Sequence, residues 1–266
     1  MSNVQTLSKL VLSNNTNVTD LNDLSNLTNL TQLDLSCSNI SELSFLSNIK
    51  TLKELILNHN NISNVSDLFQ LTNLAQLNLS NNLISNLPSF TDLKNLSKLN
   101  LANNSIKDVN SLGSIKNLTD LNLANNKISD LIFLSNLTNL SKLNLTANNI
   151  LDLNPLSSLV NLVSLDLTGN NILDLSSLSM ISSLSELNLA NNKISDLSPL
   201  VNLTWLNLYN NSISNILYLS NLTNLRQLDL SSNFIPDTDV AWLPIHTLPH
   251  YDSKWDSQDV RKSQRS

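Results

Sequence analysis

The nearest approach to metal-ligand chemistry in the chain is His246 and His250, four residues apart with Asp252 beside them. Pro249 interrupts the helix that would bring both rings to one face, and no fourth ligand accompanies them. Cys37 is the only thiol, and we expect no histidine at the neighbouring concave positions to serve as a base. The two glycines, Gly113 and Gly169, stand alone, so no glycine-rich loop is present to cradle phosphate. These residues lead us to expect no metal, no cofactor and no catalytic centre.

Recognition chemistry is better supported. Trp205, Asn207 and Tyr209 alternate along a short stretch, and alternation puts an indole, an amide and a phenol on one side of an extended strand. Exposed Trp and Tyr dominate binding hot spots because each buries a large apolar body and keeps a polar handle.

The element that must position them is a repeat. Residues 118–128, LTDLNLANNKI, read L-x-x-L-x-L-x-x-N-x-I, and the motif returns with first leucines at Leu7, Leu30, Leu52, Leu74, Leu96, Leu118, Leu140, Leu162, Leu184, Leu203 and Leu225. The intervals are 23, then 22 seven times, then 19, then 22. Within a unit, Leu121 and Leu123 alternate with Asp120, Asn122 and Ala124, as in a short half-buried strand. Leu131, Leu134 and Leu137 follow at spacing three, which suits 3₁₀ turns and extended chain better than an α-helix. One such coil cannot bury its apolar side alone, so neighbours must stack.

This pattern resembles the leucine-rich repeat family, in its 22-residue class, over residues 4–235. That class includes bacterial internalins and an intracellular regulatory subunit of a Ser/Thr protein phosphatase. The resemblance implies an α/β repeat solenoid: a curved horseshoe with a concave parallel β-sheet and a convex side of 3₁₀ turns and extended segments. It implies a protein-binding function, with an internalin-like adhesin or host-delivered effector as the alternative and a regulatory subunit of a Ser/Thr protein phosphatase as a third reading, although the matching residues are scaffold positions. No counterpart of the internalins' helical N-terminal cap is expected in the residues before Leu7.

Asn60, Asn82, Asn104, Asn126, Asn148, Asn170, Asn192, Asn211 and Asn233 all hold the ninth position of their units. A corner there turns backbone groups inward, and an amide both donates and accepts, so the column is expected to be structural. Ser38 replaces Asn in the second unit, and the first carries an extra residue near Asn15.

Stacking places Glu186 and Asn188 on the strand to one side of Trp205 and Asn207, Gln227 and Asp229 on the other, and Arg226 at the rim. With Trp205, Asn207 and Tyr209 these, Gln227 excepted, make the expected partner-binding set. Glu54, Ile56, Asn58 and His59 in the third unit are a secondary candidate. Most other outward positions are small and polar. Phe133 and Tyr218, on the convex side, read as surface packing.

Net charge is −6 and only 14% of residues are charged, so the clustered Lys and Arg of a nucleic-acid footprint are missing. No apolar run approaches the ~20 residues of a membrane span, and no signal peptide is evident. One cysteine excludes an intrachain disulfide and fits a reducing compartment. Sequons such as Asn26, Asn78, Asn136 and Asn144 read as by-products of the repeat text. The expectation is a cytoplasmic protein, a monomer with a protein partner, and secretion as an effector the alternative. Residues 1–235 form the repeat domain and 236–266 a C-terminal cap and polar tail, with a short helix predicted over 237–243.

Overall fold

A computed structural model describes residues 6–18 and 20–236. The expected cap, its helix over 237–243, His246 and His250 lie outside the described residues.

Among the described residues the chain makes eleven strands of three residues each: β1 (Lys9–Val11), β2 (Gln32–Asp34), β3 (Glu54–Ile56), β4 (Gln76–Asn78), β5 (Lys98–Asn100), β6 (Asp120–Asn122), β7 (Lys142–Asn144), β8 (Ser164–Asp166), β9 (Glu186–Asn188), β10 (Trp205–Asn207) and β11 (Gln227–Asp229). They lie in sequence order in one parallel sheet, each strand paired only with its neighbours in the chain. Register is uniform, so one repeat position meets the same position in the next coil; Leu99 faces Leu121 and Leu121 faces Leu143. The shortened 19-residue interval leaves this register intact, since Leu206 still faces Leu187. The residues removed come from the return, not the strand.

Each return runs through a left-handed corner and then, in most coils, one 3₁₀ turn such as Ile132–Asn136. A strand rung occupies ~4.8 Å, less than the bulkier return, so stacked coils splay on the return side and the sheet becomes concave. The leucines and isoleucines at inward positions form one continuous core, with Leu118, Leu123, Ile128, Leu134 and Leu137 fully buried in the central coil.

The asparagine column is structural, as expected. Asn148 Oδ1 accepts the Ile128 N–H at 3.0 Å, and its Nδ2 donates to the carbonyls of Leu123 at 3.0 Å and Leu145 at 3.1 Å. The same arrangement recurs at Asn60, Asn82, Asn104, Asn126, Asn170, Asn192, Asn211 and Asn233. In the first coil Asn15 fills the position after all, donating to Leu12 and Ser13 carbonyls. The extra residue falls beyond it. Ser38 replaces the amide in part, its hydroxyl donating to the Leu12 and Ser36 carbonyls.

Two expectations need correction. Phe133 is not surface packing; it is 3% exposed and belongs to the core, as does Phe45 at the same position of its own coil. In those two coils the ring packs under the convex layer, whereas Tyr218 at the same position of its turn stays exposed. The outermost column of the sheet is also less open than alternation suggests. Ser80, Ala102, Ala124 and Ala190 are buried, because the chain bends into its corner immediately after them.

Candidate functional site

Along β10 the pleat sends Leu206 into the core and leaves Trp205 and Asn207 on the concave side. Trp205 stands in register between Glu186 on β9 and Gln227 on β11, and Asn207 between Asn188 and Asp229. The Trp205 N–H donates to the Ser185 carbonyl at 3.1 Å, which fixes the backbone that carries the indole. Trp205 itself is half-buried, not fully exposed, whereas Tyr209 is 41% exposed at a position that other coils fill with Ser, Ala, Thr or Asn.

A depression of about 700 Å³ opens on this part of the sheet, lined by Ser164, Leu165, Asp166, Glu186, Asn188, Thr204, Trp205, Arg226 and Gln227. It brings together four residues of the expected set: Trp205, Glu186, Asn188 and Arg226. Asn207, Tyr209 and Asp229 do not line it. Ser164, Asp166 and Thr204 escape sequence reasoning. Ser164 and Asp166 stand on β8, two strands from Trp205, beyond its immediate neighbours in the stack.

The middle column of the sheet has a structural duty that alternation alone does not reveal. Asn207 Oδ1 accepts the Tyr209 N–H at 2.9 Å, Asn188 Oδ1 the Ala190 N–H at 3.2 Å, and Asp229 Oδ1 the Ser231 N–H at 2.9 Å. The same turn is built by Asp34, Asn78, Asn100, Asn122, Asn144 and Asp166. One oxygen of each side chain is therefore committed to bending the chain. The signal is present in the sequence: that column is Asn or Asp in nine of its eleven units, the exceptions being Val11 and Ile56.

Ile56 is half-buried, so the secondary set sits where this turn has no side chain to build it. Glu54 Oε2 accepts from Gln32 Nε2 at 3.1 Å, and Asn58 Oδ1 accepts from Asn78 Nδ2 at 3.3 Å. His59 holds the left-handed corner with φ 56°, the position taken elsewhere by Asn81, Asn103, Asn125 and Gly169. Cys37, half-buried, holds the same corner one coil before His59, so against expectation a histidine does stand at the neighbouring position of its column. Among the described residues no group of three or more His, Cys, Asp and Glu is arranged to hold a metal ion.

Comparison with known proteins agrees with this geometry. A family model described as leucine rich repeat matches residues 50–106, and one described as two copies of leucine rich repeats matches 94–136 and 160–202. An internalin from Listeria monocytogenes (inlF) is 31% identical over 89% of this chain and 77% of its own, with a TM-score of 0.75. A second internalin of that organism, C2, is 32% identical over 72% and 82%, with a TM-score of 0.63. A leucine-rich repeat protein of Leptospira interrogans is 26% identical over 86% and 68%, with a TM-score of 0.75. No functionally curated protein matches significantly.

Proposed function

The chain belongs to the leucine-rich repeat family, and from that premise we propose that it is a non-catalytic scaffold holding a protein partner against its concave sheet. The grip is centred on β9–β11. What carries this reading is the pair Trp205 and Tyr209: an indole set in a depression and an exposed phenol, the two aromatic side chains among the described outward strand positions of the face. Large aromatic anchors surrounded by small polar positions are the composition of a hot spot with its rim. Glu186, Asn188 and Arg226 contribute polar contacts at the depression, and Asn207 and Asp229 shape the strand ends. The secondary set around Ile56 is a smaller contact further along the same face. The protein acts as a monomer in the cytosol, without nucleic acid or membrane.

The test is affinity capture with the intact chain and with Trp205→Ala/Tyr209→Ala, alongside circular dichroism of both. The double variant should keep the spectrum and lose a captured protein. Identical captures by the two would sink the reading.

The likeness to two internalins supports a second reading, an internalin-like adhesin or host-delivered effector. Among the described residues no helix is long and apolar enough to cross a membrane. Fractionation of the producing cells separates the two readings: protein in the medium or on the surface favours the second, protein confined to the cytosol the first.

A further inference from the structure

Exposed apolar side chains stand near the Trp205 depression, at the edge where the chain climbs into the sheet. Val163 directly precedes Ser164 of β8, and its carbonyl accepts the N–H groups of both Ser185 and Glu186 at 3.0 Å. It is 41% exposed. Val160 and Val201 occupy equivalent places two coils apart, as their neighbours show: Asn161 Nδ2 donates to the Thr138 carbonyl, and Asn202 Nδ2 to that of Ser182. Both valines are exposed, and so is Met180. Earlier coils place Lys50, Thr72, Lys94, Lys116 and Thr138 where Val160 stands. Ser182 stands between Val160 and Val201 in this column and Thr223 follows them, so beside the depression the edge interleaves apolar side chains with short polar ones.

Charge changes sign over the same distance. Across β5–β7 the outward residues Lys98, Asp120 and Lys142 alternate in sign from strand to strand. Across β8–β11 the face carries the carboxylates of Asp166, Glu186 and Asp229 against one guanidinium, Arg226. Asp166 and Glu186 both line the depression together with Trp205. A cation over an indole face gains from the ring quadrupole as well as from nearby carboxylates. An anion would meet the carboxylates unfavourably.

We propose that the partner presents an extended segment with one Lys or Arg side chain in the Trp205 depression, between Asp166 and Glu186, and an apolar side chain on Val163 and Val160. An extended chain advances ~3.3 Å per residue, so residues one to three places from the basic one reach the edge. This rests on the concave-face reading above and adds the chemistry of the ligand.

The probe is a random heptapeptide library displayed on phage, selected on the full chain and on Trp205→Ser. Clones lost on Trp205→Ser should be enriched in Lys or Arg with an apolar residue within three places. Synthetic copies should bind Asp166→Asn/Glu186→Gln at least about tenfold more weakly, as loss of complementary charge at an interface entails. Asn at 166 retains the turn that Asn188 and Asn207 build at their own positions, so this variant should keep its circular dichroism and melting curve. Trp205-dependent clones without basic enrichment, or with acidic enrichment, overturn this inference and leave the concave-face reading standing. Unchanged affinity for the charge-removed variant does the same. Absence of any Trp205-dependent clone overturns both.

Discussion

Asn148 reaches back one full coil to Ile128, its Oδ1 accepting the Ile128 backbone N–H at 3.0 Å. The same side chain donates to Leu123 in the preceding coil and to Leu145 in its own, and it is only 6% exposed. Each asparagine of the column is thus a rivet between two coils. Asn148→Ala would leave the Ile128 N–H buried without a partner, while the Leu123 and Leu145 carbonyls keep the amides of Asn126 and Asn170. At roughly 1–3 kcal/mol for a stranded group, the expected loss is about 2 kcal/mol. Asn148→Asp removes the donors as well and should cost no less. Denaturant unfolding followed by circular dichroism measures both, and a loss under ~1 kcal/mol would show that the column is dispensable.

The corner beside it offers a gain. Ala147 has φ 52° and no side-chain polar group to offset the left-handed conformation, while Gly169 takes the same place one coil on with φ 66°. A left-handed L-residue costs roughly 1–2 kcal/mol that glycine does not incur, partly offset by glycine's greater freedom when unfolded. Ala147→Gly should therefore stabilise by about 0.5–1 kcal/mol, read as a raised melting temperature. Gly169→Ala should do the reverse.

Phe133 and Tyr218 hold one repeat position in two coils but differ in burial, at 3% and 41% exposed. Phe133→Ala should cost about 3–5 kcal/mol, the usual result of emptying a closed core site. Tyr218→Ala should cost under ~1 kcal/mol, as surface changes do. Equal losses would contradict the packing of the convex layer.

Asp174 receives the Ser176 N–H at 2.8 Å on Oδ1 and the Ser176 hydroxyl at 2.9 Å on Oδ2. The backbone bond first, and the hydroxyl second, hold its carboxyl below the usual aspartate range. A folded-state value below the unfolded one gives stability that is complete above the unfolded pKa and fades as pH falls through the folded one. Ser176→Ala removes only the second bond, so the Asp174 titration should move up part of the way, and Asp174's share of the acid-side loss of stability should shrink and be complete at a higher pH. Carbon-detected NMR titration reads the shift directly; no movement would place the whole effect in the backbone bond.

The coil period, the strand, the 3₁₀ return and the asparagine rivets are legible in the sequence because each is a one-dimensional signal repeated many times. Phe133 is not, because spacing three does not say which residues of a five-residue turn rotate inward. The Asn-or-Asp middle column reads as polar surface because an outward Asn or Asp suits solvent as well as it suits a turn, so the recurring column does not by itself name its hydrogen bond. The left-handed corner is legible in principle: a column alternating Asn with Gly169 marks a positive φ. Asp166 escapes at the site because the depression spans four strands, and stacking along the sheet, not alternation along one strand, decides which side chains share it.

Asn207 separates shape from contact at the site. Its Oδ1 accepts the Tyr209 N–H at 2.9 Å, so it aims the phenol as well as standing beside the indole. Asn207→Ala should cost about 1 kcal/mol of stability, the value of one such bond, and should weaken partner binding because Tyr209 loses its fixed bend. Asn207→Asp keeps the acceptor, as Asp166 and Asp229 do in their own coils, so the fold should be unchanged. It also adds a carboxylate beside Trp205, and a basic segment should then bind more tightly and with a steeper salt dependence. Titrating one Trp205-dependent basic peptide into wild type, Asn207→Ala and Asn207→Asp at low and high salt gives the ranking. If Asn207→Asp bound more weakly than wild type at low salt while its melting curve was unchanged, the segment reaching this strand would have to be neutral or acidic.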